Sequence, residues 1–372
     1  MTDKETPASS NDDETPQAQT TTEVTTDATA DSQEATPATE ALEWHAPVMV
    51  RIDEHTTIPH LLKERVQRGA TRPLILRKIG IGDTWRSITA REFYDEVHAL
   101  AAGLIARGLE PGDRVAIMSR TRYEWTLLDF ACWAAGLVPV PIYETSSIDQ
   151  VAHVLVDADV HLIITETVSM AEIVRAAAER EDRDNTHVLS LDSEAIETLI
   201  AEGSATPRER VLARSEALTK DDIATIVYTS GTTGTPKGTV LSHENFTNLC
   251  LNAHAWMPEI AAGKNSRLLL FLPLAHVFAR FLQVFQISGN GVLGHAPNIK
   301  NLLPDLASFR PSYLLVVPRV LEKIYNSADT KARGPKQKIF RWAAKVAIAY
   351  SQALDTEEGP TASLKAQHAL AD

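Results

Sequence analysis

Short β-rich apolar runs alternate with longer segments of helical periodicity along most of the chain after Trp44. Runs rich in valine, isoleucine and leucine predict strands at residues 114–118, 138–143, 161–165, 187–191 and 223–229. The segments between them have the length and polarity of helices. Because strands that alternate with helices are typical of a parallel sheet covered by helices, the pattern predicts an α/β fold.

Helical periodicity is clearest in residues 89–106, whose apolar side chains recur on one stripe formed by Phe93, Val97, Leu100 and Leu104. Thr89 and Glu92 have the spacing of a capping box, and glycine and proline at 108–112 end the pattern. In the later part of the chain, the pattern predicts helices at 243–256 and 276–287 and strands at 267–272 and 313–317.

The chain divides by composition into three parts. Residues 1–43 are rich in threonine, serine, alanine, proline and acidic residues, and are expected to be disordered because they have too little apolar surface to bury. Residues 202–219 are polar without a strand pattern, which makes them the candidate junction between subdomains. We therefore predict an acidic tail (1–43), a first α/β subdomain (44–215) and a second α/β subdomain (216–372).

The net charge of -13 is concentrated in the tail, where eleven acidic residues face one lysine. The remainder is nearly balanced, which gives no electrostatic indication of nucleic-acid binding. The start of the chain resembles no secretory signal, and no apolar run approaches the ~20 residues of a membrane-spanning helix. Two widely separated cysteines, Cys132 and Cys250, suggest no disulfide framework, which favours a cytoplasmic location.

Residues 228–238 read YTSGTTGTPKG, which combines small hydroxyl side chains with glycines and one lysine and contains no acid. The segment follows a β-rich run and is expected to leave the end of a strand. Its glycines let the backbone approach an anion, and successive N–H groups in a turn form an anion-binding nest. Lys237 adds a positive charge for outer phosphates. We predict a phosphate-binding loop, with a flexible surface turn as the alternative.

Two commoner phosphate motifs do not account for these residues. The P-loop pattern fails because Lys237 follows Pro236 and precedes Gly238. A G-x-G-x-x-G pattern occurs at 289–294, but Pro297 follows closely, so we interpret it as a turn that leads into a strand.

The segment 228–238, with TVLSHEN after it, closely resembles the phosphate-binding signature of the adenylate-forming superfamily of acyl-CoA synthetases, adenylation domains and luciferases. Residues 114–143 and 271–280 resemble further core motifs of that superfamily. Residues 316–326, VVPRVLEKIYN, are similar to its long-chain fatty acid-CoA ligase branch. The resemblance implies layered, doubly wound sheets like those of the superfamily's large N-terminal domain.

The resemblance also implies a reaction. A long-chain fatty acid would be activated by ATP to acyl-AMP and then transferred to coenzyme A, with Mg²⁺ as cofactor. The residues expected to hold the β and γ phosphates are Thr229, Ser230, Gly231, Thr232, Thr233, Gly234 and Lys237. The magnesium-binding glutamate and the mobile C-terminal domain of the superfamily have no recognisable counterpart, so we expect an N-terminal portion of such an enzyme. The oligomeric state remains open.

His276 follows an apolar strand and begins a predicted helix, at the kind of strand end where parallel sheets place ligands. By resemblance it borders the acyl carboxylate and the thiol route; a core or capping histidine is the alternative. Arg280 lies one turn later and is expected to meet a substrate anion on the same face, with a surface ion pair as the alternative. Lys237 and His276 are the candidate catalytic residues.

Two later helical segments carry more ambiguous signals. The resemblance implies that residues 318–325 help to build the wall near the acyl site, whereas the residues taken alone favour a solvated charged helix. A basic amphipathic helix at 336–350 could contact a membrane surface or the phosphates of coenzyme A. Ordinary packing against the domain is its alternative.

Two rival functions share the phosphate-binding loop. An adenylation domain or luciferase-like enzyme would use a different acceptor from coenzyme A. A nucleotide-binding fragment would bind ATP without turnover. The ligase hypothesis therefore depends on the acceptor and on turnover, neither of which the motif specifies.

Overall fold

The computed structural model describes residues 47–80, 84–183, 185–229, 236–261, 263 and 266–371. From Val48 onward these form one compact unit. The predicted acidic tail and residues 230–235, which contain Ser230, Gly231, Thr232, Thr233 and Gly234 of the predicted phosphate-binding loop, lie outside the described residues. The division of the body at residue 215 stays a prediction.

The strands within the described residues are β1 (Pro73–Lys78), β2 (Trp85–Thr89), β3 (Arg114–Met118), β4 (Val138–Ile142), β5 (Leu162–Thr165), β6 (His187–Ser190), β7 (Ile223–Thr229), β8 (Lys237–Ser242), β9 (Arg267–Leu270) and β10 (Val292–His295). The α-helices are α1 (Ile58–Gly69), α2 (Ala90–Ala106), α3 (Tyr123–Ala134), α4 (Ile148–Asp157), α5 (Val168–Arg180), α6 (Ala195–Glu202), α7 (Arg208–Ala217), α8 (His243–Trp256), α9 (Pro258–Ala261), α10 (Val277–Ser288), α11 (Leu302–Phe309), α12 (Pro318–Lys331), α13 (Pro335–Leu354) and α14 (Ala362–Ala371).

The described strands form three sheets. One is fully parallel with the order β4-β3-β5-β6, as the alternation of strands and helices predicted. A second has the order β2-β1-β10-β9, in which only the β1–β2 pair is antiparallel. The third is an antiparallel pair of β7 and β8. The mixed α/β architecture is therefore confirmed, whereas the expectation that β7 belongs to a parallel sheet is wrong.

Two prolines explain why β7 does not continue the parallel sheet beside β4. Strand β4 reads VPVPI, and Val138, Val140 and Ile142 alternate with Pro139 and Pro141. Proline has no backbone N–H, so the outer edge of β4 cannot donate the hydrogen bonds of a ladder. The carbonyl of Pro139 instead accepts a hydrogen bond of 2.7 Å from the Thr225 side chain on β7.

Helix α3 lies at the centre of the fold and is buried along its whole length. A helix that is apolar on nearly all faces must pack on every side. On one side the aromatic ring of Phe130 packs edge-on against Phe93 of α2. On another, the indole nitrogen of Trp133 donates a 2.7 Å hydrogen bond to the Ala224 carbonyl on β7. Helix α3 therefore connects the first helices of the chain to the strand that precedes the predicted phosphate-binding loop.

Most of the elements predicted from periodicity are confirmed. Helix α2 has the predicted capping box between Thr89 and Glu92, and α8 has the predicted bounds. Residues 289–291 form a turn that leads into β10. The strand predicted at 313–317 is wrong, because the segment forms only a single bridge, between Tyr313 and Leu268. Residues 202–219 contain α7, a helix that the polar composition concealed.

None of the described helices combines the length and the apolar character that crossing a bilayer requires. Cys132 and Cys250 lie in α3 and α8 as predicted, and both are buried free thiols. Burial raises the pKa of both thiols above the ordinary value. Both groups are therefore inert apolar packing residues rather than nucleophiles.

Candidate functional site

The predicted phosphate-binding segment joins the two strands of an antiparallel hairpin. Thr229 is the last residue of β7 and pairs with Lys237, the first residue of β8. Both side chains are exposed at the end of the pair where the chain passes from one strand to the other. Sequence analysis did not recognise β8, because KGTVLS has no regular alternation of apolar and polar residues. The pairing of β7 with β8 shows that the backbone leaves β7 after Thr229 and enters β8 at Lys237.

A cavity of about 400 Å³ opens beside this end of the hairpin. Thr229 and Pro236 line it from the hairpin, His276 lines it from the start of α10, and the carboxyl end of β4 closes the opposite side. Apolar and polar groups share the wall, which consists of Pro141, Ile142, Tyr143, Ser146, Gln150, Val154, Val227, Tyr228, Thr229, Pro236, His276 and Val277. Ligands of α/β proteins commonly occupy this position, beyond the carboxyl ends of strands.

His276 is exposed at the cavity and is the N-cap residue of α10. Its Nδ1 accepts a 3.2 Å hydrogen bond from the backbone N–H of Phe278. Because Nδ1 acts as an acceptor, the neutral ring carries its proton on Nε2, which can therefore donate to a ligand oxygen. The predicted position of His276, at the start of a helix after an apolar strand, is confirmed. The capping role and a ligand role use different ring nitrogens and are compatible.

The turn that carries His276 is fixed by a residue that sequence analysis missed. The buried hydroxyl of Thr121 donates to the Leu272 carbonyl at 2.6 Å and accepts from the backbone N–H of Leu274 at 3.0 Å. Thr121 lies just after β3, whose carboxyl end faces the same edge of the fold. A polar residue after a buried strand was the available signal, but only the fold reveals its partner 151 residues away.

Arg280 does not lie where sequence analysis expected it. Its side chain is 0% exposed and forms a bidentate ion pair with Asp129 of α3, with distances of 2.7 Å and 3.2 Å. It also donates to the hydroxyl of Thr225 on β7. The residue is one turn from His276, but its side chain turns into the core instead of towards the cavity. The prediction that Arg280 contacts a substrate anion is therefore wrong for this arrangement.

Helix α4 supplies one wall of the cavity, a contribution that sequence analysis did not foresee. Gln150 and Val154 line the cavity, and Asp157 accepts a 2.6 Å hydrogen bond from the Tyr228 hydroxyl. Burial, together with the neighbouring Asp157 carboxylate, raises the pKa of Tyr228 well above its ordinary value. The Tyr228 hydroxyl therefore remains protonated and acts as a hydrogen-bond donor.

The later helices lie away from this cavity. Residues of α12, among them Arg319 and Lys323, line a separate groove of about 800 Å³ with Ile299. On α13, Ile339 is 62% and Trp342 is 41% exposed, whereas Val346 on the same stripe is buried. None of residues 318–325 lines the cavity beside the hairpin, so this cavity gives no support to the expectation that they help to build the wall of an acyl site.

Within the described part of the chain, no group of three or more histidine, cysteine, aspartate or glutamate side chains is arranged to hold a metal ion. Cys250 and His254, which share a helical face, are used in packing. His254 Nε2 bonds the Phe285 carbonyl at 2.8 Å, and Cys250 is fully buried.

Comparison with known proteins agrees with the motif at the hairpin. A family model described as AMP-binding enzyme matches residues 62–357, which is most of the chain. The chain belongs to the AMP-binding enzyme family. The resemblance seen in residues 228–238 is thereby confirmed for the chain as a whole.

The similar curated members of the AMP-binding enzyme family include fatty acid ligases. The long-chain-fatty-acid--CoA ligase FadD15 of Mycobacterium bovis is 39% identical over 333 residues, which are 89% of this chain and 55% of that protein. The ligase ACSBG2 of Rattus norvegicus, also named as acting on long-chain fatty acids, is 28% identical over 362 residues, or 86% of this chain and 51% of that protein. The chain spans about half the length of these relatives.

Solved structures show the same fold. A fatty acyl CoA synthetase of Mycobacterium tuberculosis has a TM-score of 0.59 and 24% identity, and the match covers 72% of this chain and 50% of that one. Apo MatB from Rhodopseudomonas palustris has a TM-score of 0.58 and 23% identity, with 73% and 51% covered. These likenesses confirm the predicted α/β architecture of the adenylate-forming N-terminal domain.

Proposed function

We propose that this chain forms the nucleotide-binding part of an ATP-dependent long-chain fatty acid-CoA ligase. The observation that carries the proposal is that Thr229 and Pro236, the residues on either side of SGTTGT in the sequence, line the same cavity as His276. The names of the similar curated proteins favour a fatty acid as the acid substrate and coenzyme A as the acceptor.

The proposed reaction has two steps. A carboxylate oxygen attacks the α-phosphorus of ATP, a new oxygen–phosphorus bond forms, and pyrophosphate leaves with the electrons of the broken bond. The sulfur of coenzyme A then attacks the acyl carbonyl carbon, and AMP leaves as the carbon–oxygen bond breaks. The chain contributes position and charge stabilisation rather than a covalent intermediate.

Each proposed residue has a separate role in the first step. Lys237, Thr229 and the hydroxyls and amides of Ser230, Gly231, Thr232, Thr233 and Gly234 hold the β and γ phosphates. Their negative charge increases as pyrophosphate departs, so Lys237 stabilises the transition state more than the bound substrate. His276 donates from Nε2 to an oxygen of the reacting carboxyl group. Mg²⁺, which the family resemblance implies, would offset the negative charge of the phosphates when bound.

Coupled measurement of pyrophosphate and acyl-CoA tests the proposal on an intact version of the ligase of which this chain would form a part. Pyrophosphate release that requires a long-chain fatty acid, followed by thioester formation when coenzyme A is present, is the expected result. Pyrophosphate without a thioester would favour the luciferase-like or adenylation-domain alternative. ATP binding by calorimetry without either product would favour the nucleotide-binding alternative.

Substitution of Lys237 tests the phosphate contact. The Lys237→Ala variant is expected to slow adenylation by about 10- to 100-fold, because a hydrogen bond to a charged group contributes ~1.5–3 kcal/mol. Lys300→Ala, which removes another exposed lysine away from the cavity, is the matched control. Equal rates for the Lys237 variant and this control would remove the proposed role of Lys237.

Substitution of His276 separates ligand contact from helix capping. Asparagine preserves a side-chain acceptor for the backbone N–H of Phe278 but removes Nε2, whereas alanine removes both. If His276 contacts the acyl carboxyl, both variants lose activity, and His276→Asn keeps the stability of the native chain. Native single-turnover rates in His276→Asn would show that the residue only caps α10.

The exposed apolar residues of α13 support an additional proposal of peripheral contact with a cytoplasmic membrane surface. Ile339 and Trp342 are flanked by Lys338, Arg341 and Lys345, and a basic amphipathic helix of this kind binds anionic lipids. Co-sedimentation with vesicles that contain phosphatidylserine should fall in the Trp342→Ala variant. Equal binding of native chain and variant would contradict lipid contact through α13.

A further inference from the structure

Helix α4 contacts both strands of the hairpin at the end where the phosphate-binding segment leaves and returns. The hydroxyl of Tyr228, the penultimate residue of β7, donates to Asp157 at 2.6 Å. His153 Nε2 donates to the carbonyl of Pro236 at 2.7 Å. His153 and Asp157 are four residues apart and therefore share one face of α4. One helical face thus binds the chain just before and just after residues 230–235.

The ring of Tyr228 fills the space between α4 and β8. The rings of His153 and Tyr228 meet edge to face, with centroids 5.7 Å apart and an interplanar angle of 85°. On the other side, a methyl group at Gly238 would lie 3.2 Å from the hydroxyl end of the Tyr228 ring. The ring is therefore confined between the helix and the opposite strand.

The contact at Pro236 lies just beyond the last pair of the described β7–β8 ladder. The β7–β8 ladder reaches Thr229 and Lys237, and both residues are exposed. Pro236 follows on the side of the predicted loop and has no backbone N–H to extend the ladder. Its carbonyl is fixed from outside, by a side chain on another secondary-structure element.

Helix α4 is firmly attached to the first parallel sheet. Its apolar residues Val151, Val154 and Leu155 are buried, and Ser147 and Gln150 form a capping box at its start. The same helix lines the cavity through Gln150 and Val154. The contacts from α4 therefore hold Tyr228 and Pro236, on either side of the predicted phosphate-binding segment, against a helix that also lines the cavity.

We propose that His153 and Asp157 are positioning residues: they hold Tyr228 and Pro236, which flank the predicted phosphate-binding segment on its two sides, and thereby increase the affinity for the phosphates of ATP. This inference rests on the proposed function of that segment. His153 and Asp157 act through the hairpin and need no contact with the nucleotide. Their effect is to reduce the conformational freedom that ATP binding must otherwise remove.

Two variants remove the contacts with little other change. His153→Ala removes the donor to Pro236, and Tyr228→Phe removes only the hydroxyl that bonds Asp157. The hydrogen bond to the Pro236 carbonyl contributes ~1 kcal/mol and the one to the Asp157 carboxylate contributes more, so each variant is expected to weaken the Kd for ATP at least fivefold and the double variant at least 25-fold. His153→Gln can still donate at a similar position and is expected to recover affinity to within about twofold. Ser147→Ala destabilises the same helix without touching the hairpin and serves as the matched control.

Two measurements on the full 372-residue chain separate the inference from the proposed function. Calorimetric titration gives the Kd for ATP, and hydrogen exchange of the β8 amides without nucleotide reports whether α4 holds the hairpin. The expected result is exchange at least fivefold faster and weaker ATP binding in His153→Ala and Tyr228→Phe, with native affinity in Ser147→Ala.

The outcomes are distinguishable. Unchanged β8 exchange in both variants would overturn the structural part of the inference. Faster exchange with unchanged ATP affinity, or an equal loss of affinity in Ser147→Ala, would overturn the positioning role. A native chain that binds neither ATP nor inorganic pyrophosphate would overturn the proposed function, and the role in nucleotide positioning with it.

Discussion

The buried ion pair between Arg280 and Asp129 gives the sharpest test of how the fold supports the candidate site. The pair joins α10, which begins next to His276, to the central helix α3, and Arg280 also contacts Thr225 on β7. Gln283 completes the surroundings of Asp129 with a 2.9 Å hydrogen bond. Replacement of Arg280 by methionine keeps most of the side-chain volume and removes the charge.

The expected loss follows from the contacts. Arg280 and Asp129 are 0% and 1% exposed, so neither group can regain water when its partner is removed. Burial raises the pKa of the Asp129 carboxyl, although Arg280 and Gln283 oppose that shift by stabilising the charged form. Breaking a buried pair from one side costs ~3–5 kcal/mol, and replacing both partners by apolar residues is often neutral. Arg280→Met should therefore destabilise the chain by about 4 kcal/mol, and Arg280→Met/Asp129→Leu by much less.

Urea unfolding monitored by tryptophan fluorescence measures the difference. With an m value near 3 kcal/mol per M, the single variant should lower the midpoint by about 1 M. Arg341→Met, which removes one partner of an exposed ion pair with Asp329, should leave the midpoint unchanged.

A midpoint shift below about 0.3 M in Arg280→Met would refute the reasoning, because it would correspond to less than ~1 kcal/mol. Additive losses in the double variant would refute it as well, since contacting residues must show a coupling energy above ~0.5 kcal/mol.

Three further predictions concern other contacts of the same region. His243 is buried, which lowers its pKa to about 4, and its Nδ1 accepts from the Ile58 N–H, so only the neutral ring fits. Stability from the neutral ring is complete above the unfolded pKa of ~6.5 and is lost as pH falls towards 4, by on the order of 3 kcal/mol. In the His243→Asn variant, the urea midpoint should fall less between pH 7 and pH 4.5 than it does in the native chain. An equal fall in both chains would contradict this account. Thr121→Val should lower the free energy of unfolding, measured with urea, by ~2 kcal/mol, because the Leu272 carbonyl and the Leu274 N–H lose their hydrogen-bond partner. An unchanged urea midpoint would show that water replaces the hydroxyl. Gly238→Ala should lower the free energy of unfolding by ~1–3 kcal/mol and speed hydrogen exchange of the β8 amides, because the added methyl group lies 2.9 Å from Ile226 and 3.2 Å from the Tyr228 ring. Native exchange rates would show that the Ile226 side chain moves to make room for the methyl group.

Sequence patterns were reliable where the signal is local. The capping box at Thr89 and Glu92, and the apolar runs of β3 and β7, each depend on neighbours within a few residues. The pattern was misleading at 313–317, because apolarity indicates burial and does not indicate whether a partner strand lies within hydrogen-bonding distance. Strand β8 shows the converse, since pairing with β7 makes a strand of a polar, glycine-containing segment.

The candidate site divides in the same way. The predicted phosphate-binding segment and His276 could be proposed as site residues from the sequence because each follows an apolar strand. The roles of His153, Asp157 and Thr121 could not be recognised, since each depends on a partner at least 71 residues away along the chain. Arginine is a residue type that often contacts anionic ligands, but the surroundings of Arg280 are those of a core residue. Only the packing of the folded chain distinguishes a ligand contact from a buried ion pair.

The sequence by itself determined the order of strands and helices, the family and the chemistry available between β7 and β8, because these depend on residue type and short spacings. The tertiary structure decided which side chains share a cavity, which charge is buried, and which helix contacts Tyr228 and Pro236 on either side of the predicted phosphate-binding segment. These properties arise from contacts between residues distant in sequence, where distance and access to water, rather than residue type, determine what each group can do.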